Sequence, residues 1–147
     1  MNSAAQDTLP RNTIGMAGVF WVASELARRN WYAFPTVRNQ KGVDIIATRE
    51  LPNQTKFIEI QVKATQKSTA TFWLLTKGRE NIPHRKSLFF IFVRPESKSA
   101  FARFEAFIVP SEEVYNKARH SDKGTFSLCW WYKDSTGFRE AWDNLDA

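Results

Sequence analysis

VDIIATRELPNQTKFIEIQVK, residues 43–63, is the stretch on which the fold turns. Two arms flank Pro52-Asn53, and each alternates apolar and polar residues with the period of two that marks a half-buried strand. A turn centred on Pro52-Asn53 sets Val43 against Val62, Ile45 against Ile60 and Ala47 against Ile58, a wholly apolar face. A one-residue slip would send every side chain to the other face, so the match predicts an antiparallel hairpin in one register. The opposite face then carries Asp44 across from Gln61, with Glu59 and Lys63 one strand step to either side. Directly opposed side chains have Cβ atoms roughly 4.5–5.5 Å apart. A carboxylate, an amide oxygen and a lysine amine are therefore expected to converge on one patch.

Upstream, residues 15–29 predict a helix capped by Thr13, with Met16, Val19, Phe20, Ala23 and Leu26 at helical spacing and Arg28 and Arg29 in its last turn. Residues 31–37 predict a short strand interrupted by Pro35, and so an edge or irregular one. The polar turn RNQKG at 38–42 would set Arg38 and Lys41 beside Asp44. Downstream, residues 72–75 predict a third strand of the same sheet, and KGRENIPHRK at 77–86 is a basic connector. LFFIFV at 88–93 is apolar throughout, as for a central strand buried on both faces. Residues 104–109 predict a strand ended by Pro110, and Ser111 a cap for a helix reaching about Arg119. A last strand at 126–132 and a short helix at 138–145 complete an α/β (α+β) class with a mixed central sheet flanked by helices.

The 147 residues fit one domain over 1–147, with 1–12 as a flexible lead-in. Cys129 is the single cysteine, which excludes an internal disulfide and a multi-cysteine zinc site and favours a reducing, cytoplasmic setting. No apolar run approaches the roughly 20 residues that span a bilayer, so no membrane partner is expected. A net charge of +6 favours a polyanionic partner. Phe126, Trp130, Trp131, Tyr132, Phe138 and Trp142 crowd the tail, where packing explains them better than base stacking.

Asp44 near the start of one strand and Gln61-Val62-Lys63 on the next, preceded by a helix GMAGVFWVASELARRNW, resemble the PD-(D/E)xK nuclease superfamily. The likeness is to its restriction-endonuclease-like and Holliday-junction-resolvase-like small members, in a D…QxK form. The resemblance implies a restriction-endonuclease-like core and hydrolysis of nucleic-acid phosphodiesters, DNA being favoured. It implies one weak Mg²⁺ or Mn²⁺ site held by Asp44, the Gln61 side-chain oxygen and the Val62 carbonyl. Lys63 would orient or deprotonate the attacking water. Two positions depart from the pattern: Val19 stands where many members carry a helix glutamate, and Gln61 where they carry an acid. Glu59 and Glu25 are the candidate substitutes. Arg38, Lys41, Lys77, Arg79, Arg85 and Lys86 are the candidate phosphate contacts, and a homodimer is compatible with the resemblance. The alternative is a catalytically silent module on the same fold that binds nucleic acid or a protein partner.

Overall fold

The computed structural model describes residues 10–37, 42–99, 101–121 and 126–147. It opens with helix α1, Arg11–Arg28. The helix starts ahead of Thr13 because Pro10, already at φ −54°, fixes the entry and its carbonyl accepts the Thr13 N–H at 2.9 Å. Thr13 is therefore helical and caps nothing; Arg11 and Asn12, expected in the lead-in, are helical too, and residues 1–9 of that lead-in lie outside the described residues. The helix stops at Asn30, which takes the left-handed conformation, φ 65°, while the Trp31 N–H donates to the Leu26 carbonyl at 3.0 Å. That is the helix-ending geometry usually given to glycine. Its buried stripe is Ile14, Gly18, Val22 and Leu26. Met16 and Phe20, expected on the apolar face, are exposed. Gly18 explains the rotation: a Cβ there would lie 2.7 Å from the Ala64 Cβ, so the helix rests its backbone on the sheet at that point.

The central sheet has five strands, β1 (Tyr32–Pro35), β2 (Ile45–Leu51), β3 (Gln54–Ala64), β5 (Leu88–Pro95) and β6 (Phe104–Pro110), in the spatial order β1-β2-β3-β5-β6. β3 runs parallel to β5 and the other neighbours are antiparallel. The hairpin register is the one its alternation predicts: Ile45 pairs with Ile60 and Ala47 with Ile58, and Leu51 and Gln54 close the turn. β1 is an edge strand, one of the two readings that Pro35 left open. β5 is an interior strand, buried on both faces from Leu88 to Val93.

One face of the sheet packs Ile45, Ala47, Ile58, Ile60, Val62, Ile91 and Ile108 against Val22, Leu26, Trp31, Trp142 and Leu145. The other face carries a second core over β5 and β6. There Phe90, Phe92, Phe107 and Val109 meet α2 (Ser111–Lys117) and a small sheet of β4 (Phe72–Leu74), β7 (Arg119–His120) and β8 (Leu128–Trp131). Residues 72–75 thus do not join the main sheet. β3 already has two hydrogen-bonded neighbours, so this segment turns away to pair with β8. Trp73 pins it there, its Nε1–H donating to the Val93 carbonyl at 3.1 Å.

Ser111 is the first helical residue rather than a cap; its hydroxyl accepts the Arg85 N–H and donates to the Arg85 carbonyl, each at 2.9 Å. The expected terminal helix is replaced by 3₁₀ turns at Thr136–Phe138 and Trp142–Asp146. Between them Glu140, at φ 49°, exchanges backbone and carboxylate hydrogen bonds with Ala106 and straps the tail to β6. Among the described residues no helix is long and apolar enough to cross a membrane.

Candidate functional site

The regular ladder of the hairpin begins at Ile45–Ile60, one step short of the expected Asp44–Gln61 pair. The Asp44 N–H donates to the Ile60 carbonyl at 2.8 Å although Ile60 already opposes Ile45. Two residues facing one is a β-bulge, which bends a strand and re-aims a side chain. Here it turns Asp44 toward the next peptide of β3: Oδ2 accepts the Val62 N–H at 2.7 Å. Thr36 holds the bulge from the β1 side. Its N–H donates to the Asp44 carbonyl at 2.9 Å and its hydroxyl to the Val43 carbonyl at 2.7 Å.

Burial pushes the Asp44 carboxyl up, against the opposing pull of the Val62 N–H and the Lys63 charge. Burial likewise pushes the Lys63 amine down, and Asp44 partly offsets it. The two charges act on each other through space; among the described residues they form no direct ion pair. Gln61 and Lys63 project from β3 to the face away from α1, since Ile60 and Val62 occupy the α1 face. There they line, with Thr76, Asn81 and Phe90, a cavity of about 30 Å³. Gln61 Oε1 is buried without a hydrogen-bond partner. Asp44 lines a separate groove of about 490 Å³ beneath α1, together with Val62, Val19, Met16 and Phe20. The single patch expected for Asp44, Gln61 and Lys63 is therefore divided, with Asp44 on the α1 side of β3 and Gln61 and Lys63 on the other, because Asp44 turns to the Val62 N–H instead of pairing with Gln61. Val19 shares Asp44's groove.

The substitute acids are engaged elsewhere. Glu59 accepts two hydrogen bonds from Arg85, at 2.6 and 2.8 Å, and a third from Ser87 at 3.0 Å, and its carboxyl is held below the usual range, chiefly by Arg85. Glu25 faces Arg28 and Arg29 at 3.2 and 2.6 Å on its own helix. Of the basic connector, Arg79 donates to the carbonyls of Tyr115 and Ala118 and so fastens the end of α2. Arg85 is held by Glu59, and Lys77 and Lys86 are exposed. Arg38 and Lys41 lie outside the described residues. Sequence reasoning did not reach Thr36, Thr76 or Asn81, whose place at the site depends on chain segments brought together only by folding.

Among the described residues no three His, Cys, Asp or Glu side chains gather. The hard oxygens here are the Asp44 carboxylate on the α1 side of β3 and the unpartnered Gln61 Oε1 on the other side. That donor chemistry fits a small divalent ion that keeps most of its waters.

Compared with protein-family models and with curated proteins, the chain matches none. Among solved structures it is similar to the bacterial homing endonuclease I-Ssp6803I, with a TM-score of 0.59 and 15% identity over 94% of this chain and 95% of that one. The likeness is one of fold. It spans both chains nearly end to end.

Proposed function

We propose that the chain is a metal-dependent nucleic-acid phosphodiesterase of the PD-(D/E)xK type, an endonuclease with Asp44, Gln61 and Lys63 as its site. The observation that carries this reading is the buried Gln61 Oε1, left without a partner on the strand whose Val62 N–H fixes Asp44 and whose Lys63 answers Asp44's charge. An unsatisfied buried polar atom is costly, and a cation with its waters would satisfy it. The nuclease-like fold supports the reading.

A divalent ion bound here would neutralise phosphoryl oxygens and lower the pKa of a water. Asp44 would supply the only ionised ligand, prefixed by the Val62 bond. Gln61 would supply a neutral oxygen at no cost in charge repulsion. Lys63, with its amine lowered by burial, is the group suited to take a proton from water at a pH below the ordinary lysine value of 10.5. Lys77 and Lys86 are the exposed cations available to phosphates beyond the scissile one.

Cleavage of a fluorogenic oligonucleotide with Mg²⁺ or Mn²⁺ tests the proposal. Mn²⁺ is expected to support the faster reaction because N/O donor sets hold it more tightly. Asp44→Ala should lower turnover by at least about a hundredfold with the circular dichroism unchanged. Lys63→Ala should cost a similar factor and remove the alkaline-going rise of the pH profile. Gln61→Glu adds a unit of ligand charge at equal length and should tighten the metal requirement. Turnover indifferent to Asp44→Ala and Lys63→Ala would place the chemistry elsewhere. Absence of cleavage by every variant, with nucleic-acid binding retained, would favour the silent module.

A further inference from the structure

The face of β3 that carries Gln61 and Lys63 continues away from the site as an open surface. Period-two alternation puts Phe57 on that face with Glu59, Gln61 and Lys63. Phe57 pairs with Thr48, and Thr48 with Tyr32; Glu59 pairs with Ile46, and Ile46 with Phe34. Directly paired residues share a face. Tyr32, Phe34 and Phe57 therefore stand together on β1 and β3, and they are 63%, 56% and 48% exposed. Over β5 and β6 the same face is covered by α2 and the small sheet. Over β1–β3 the described residues leave that face without such a cover.

We infer that this uncovered face is a stacking platform for unpaired bases of a single-stranded nucleic acid, leading to the Gln61 and Lys63 side of the site. The inference rests on the nucleic-acid reading of that site. Neighbouring strands lie roughly 4.8 Å apart and alternate residues along a strand roughly 6.7 Å apart, which spreads the rings so that each can take its own base. Two or three exposed aromatics on a sheet face are a general solution for stacking unstacked bases, which any sequence satisfies. The border supplies charge for the phosphates at the exposed Lys86, next to the Arg85–Glu59 pair of the Phe34 row, on a chain of net charge +6. A second copy fits the surface less well. Three half-exposed rings offer roughly 300 Å², against about 800 Å² per partner in a stable dimer, and Thr48, Glu50, Thr55 and Glu59 interleave them with polar groups.

The test is fluorescence anisotropy on the Asp44→Ala chain without metal, so that binding is read apart from cleavage. The probes are labelled dT and rU oligomers and a DNA duplex of equal length. Tyr32→Ala, Phe34→Ala and Phe57→Ala should each weaken single-strand binding about fivefold or more, and the triple variant about a hundredfold. Phe34→Tyr and Phe57→Tyr should retain it, and duplex affinity should move far less. Equal losses on duplex and single strand, no loss at all, or a triple variant whose main change is from dimer to monomer in sedimentation would each overturn the platform. A chain that binds neither polymer would sink the nuclease reading as well. Binding that is present but indifferent to the rings would sink the platform alone.

Discussion

The face of the central sheet turned away from α1 divides into two halves that use similar residues to opposite ends. Over β5 and β6, Phe90, Phe92 and Phe107 are fully covered by Trp73, Trp130 and their neighbours, with Phe92 stacked on Trp130 at 5.5 Å. Over β1–β3, Tyr32, Phe34 and Phe57 face outward beside Gln61 and Lys63. Aromatic content distinguishes neither half. What separates them is the second layer, which β4, β7, β8 and α2 build over one half and leave off the other. The candidate site lies at the seam, where a strand moves from dry cover to open surface and its polar residues are only partly buried.

The largest expected effect breaks the comparison at its centre. Phe92→Ala should cost about 3–5 kcal/mol of folding stability, whereas Phe57→Ala, on the open half, should fall within about 0.5 kcal/mol. Denaturant midpoints measure both. A large loss at Phe57 would mean that the open half is packed after all.

Next in size is the contact that seats α1 on the hairpin. Gly18→Ala places a methyl 2.7 Å from Ala64 on β3, and overpacking of this kind costs about 1–3 kcal/mol. Since Ala64 follows Lys63 directly, the same variant should also lower any cleavage activity more than its melting temperature alone would explain. A neutral Gly18→Ala would show that the helix is free to shift.

The smallest effect sharpens the seam itself. Burial raises the folded-state carboxyl of Asp44 above 3.8, so the native chain holds more protons than the unfolded one between those two values. Stability contributed by this group accordingly falls as pH rises through that interval, and the cost persists above it. Asp44→Asn removes the charge while an amide oxygen still accepts the Val62 N–H. It should be modestly more stable than the parent at neutral pH, with the difference closing as pH falls toward 3.8. A variant that is less stable at neutral pH would show that the carboxylate's bonds outweigh its burial.

Much of the fold was legible in residues 43–63, because a period of two and a fixed turn leave one register in which both arms bury their apolar sets. The run at 88–93 was equally plain, since only an interior strand hides apolar residues on both faces. The same alternation predicted one shared patch for Asp44, Gln61 and Lys63, and the structure divides it: Asp44 lines the groove beneath α1, and Gln61 and Lys63 the cavity on the other side of β3. The bulge at Asp44 was not legible, because it depends on Thr36 from another segment. Engagement of Glu59 by Arg85 and of Arg79 by the end of α2 was also hidden, as charges distant in sequence read as solvated until packing pairs them. Residues 72–75 announced a strand without saying which sheet would accept it. Sequence by itself determined which residues alternate, where the chain turns and which strand is buried, because those follow from local periodicity and backbone sterics. Tertiary structure decided which half of the sheet is covered, which cations remain exposed and which way Asp44 points. Each of those is set by contacts between segments whose separation along the chain carries no pattern.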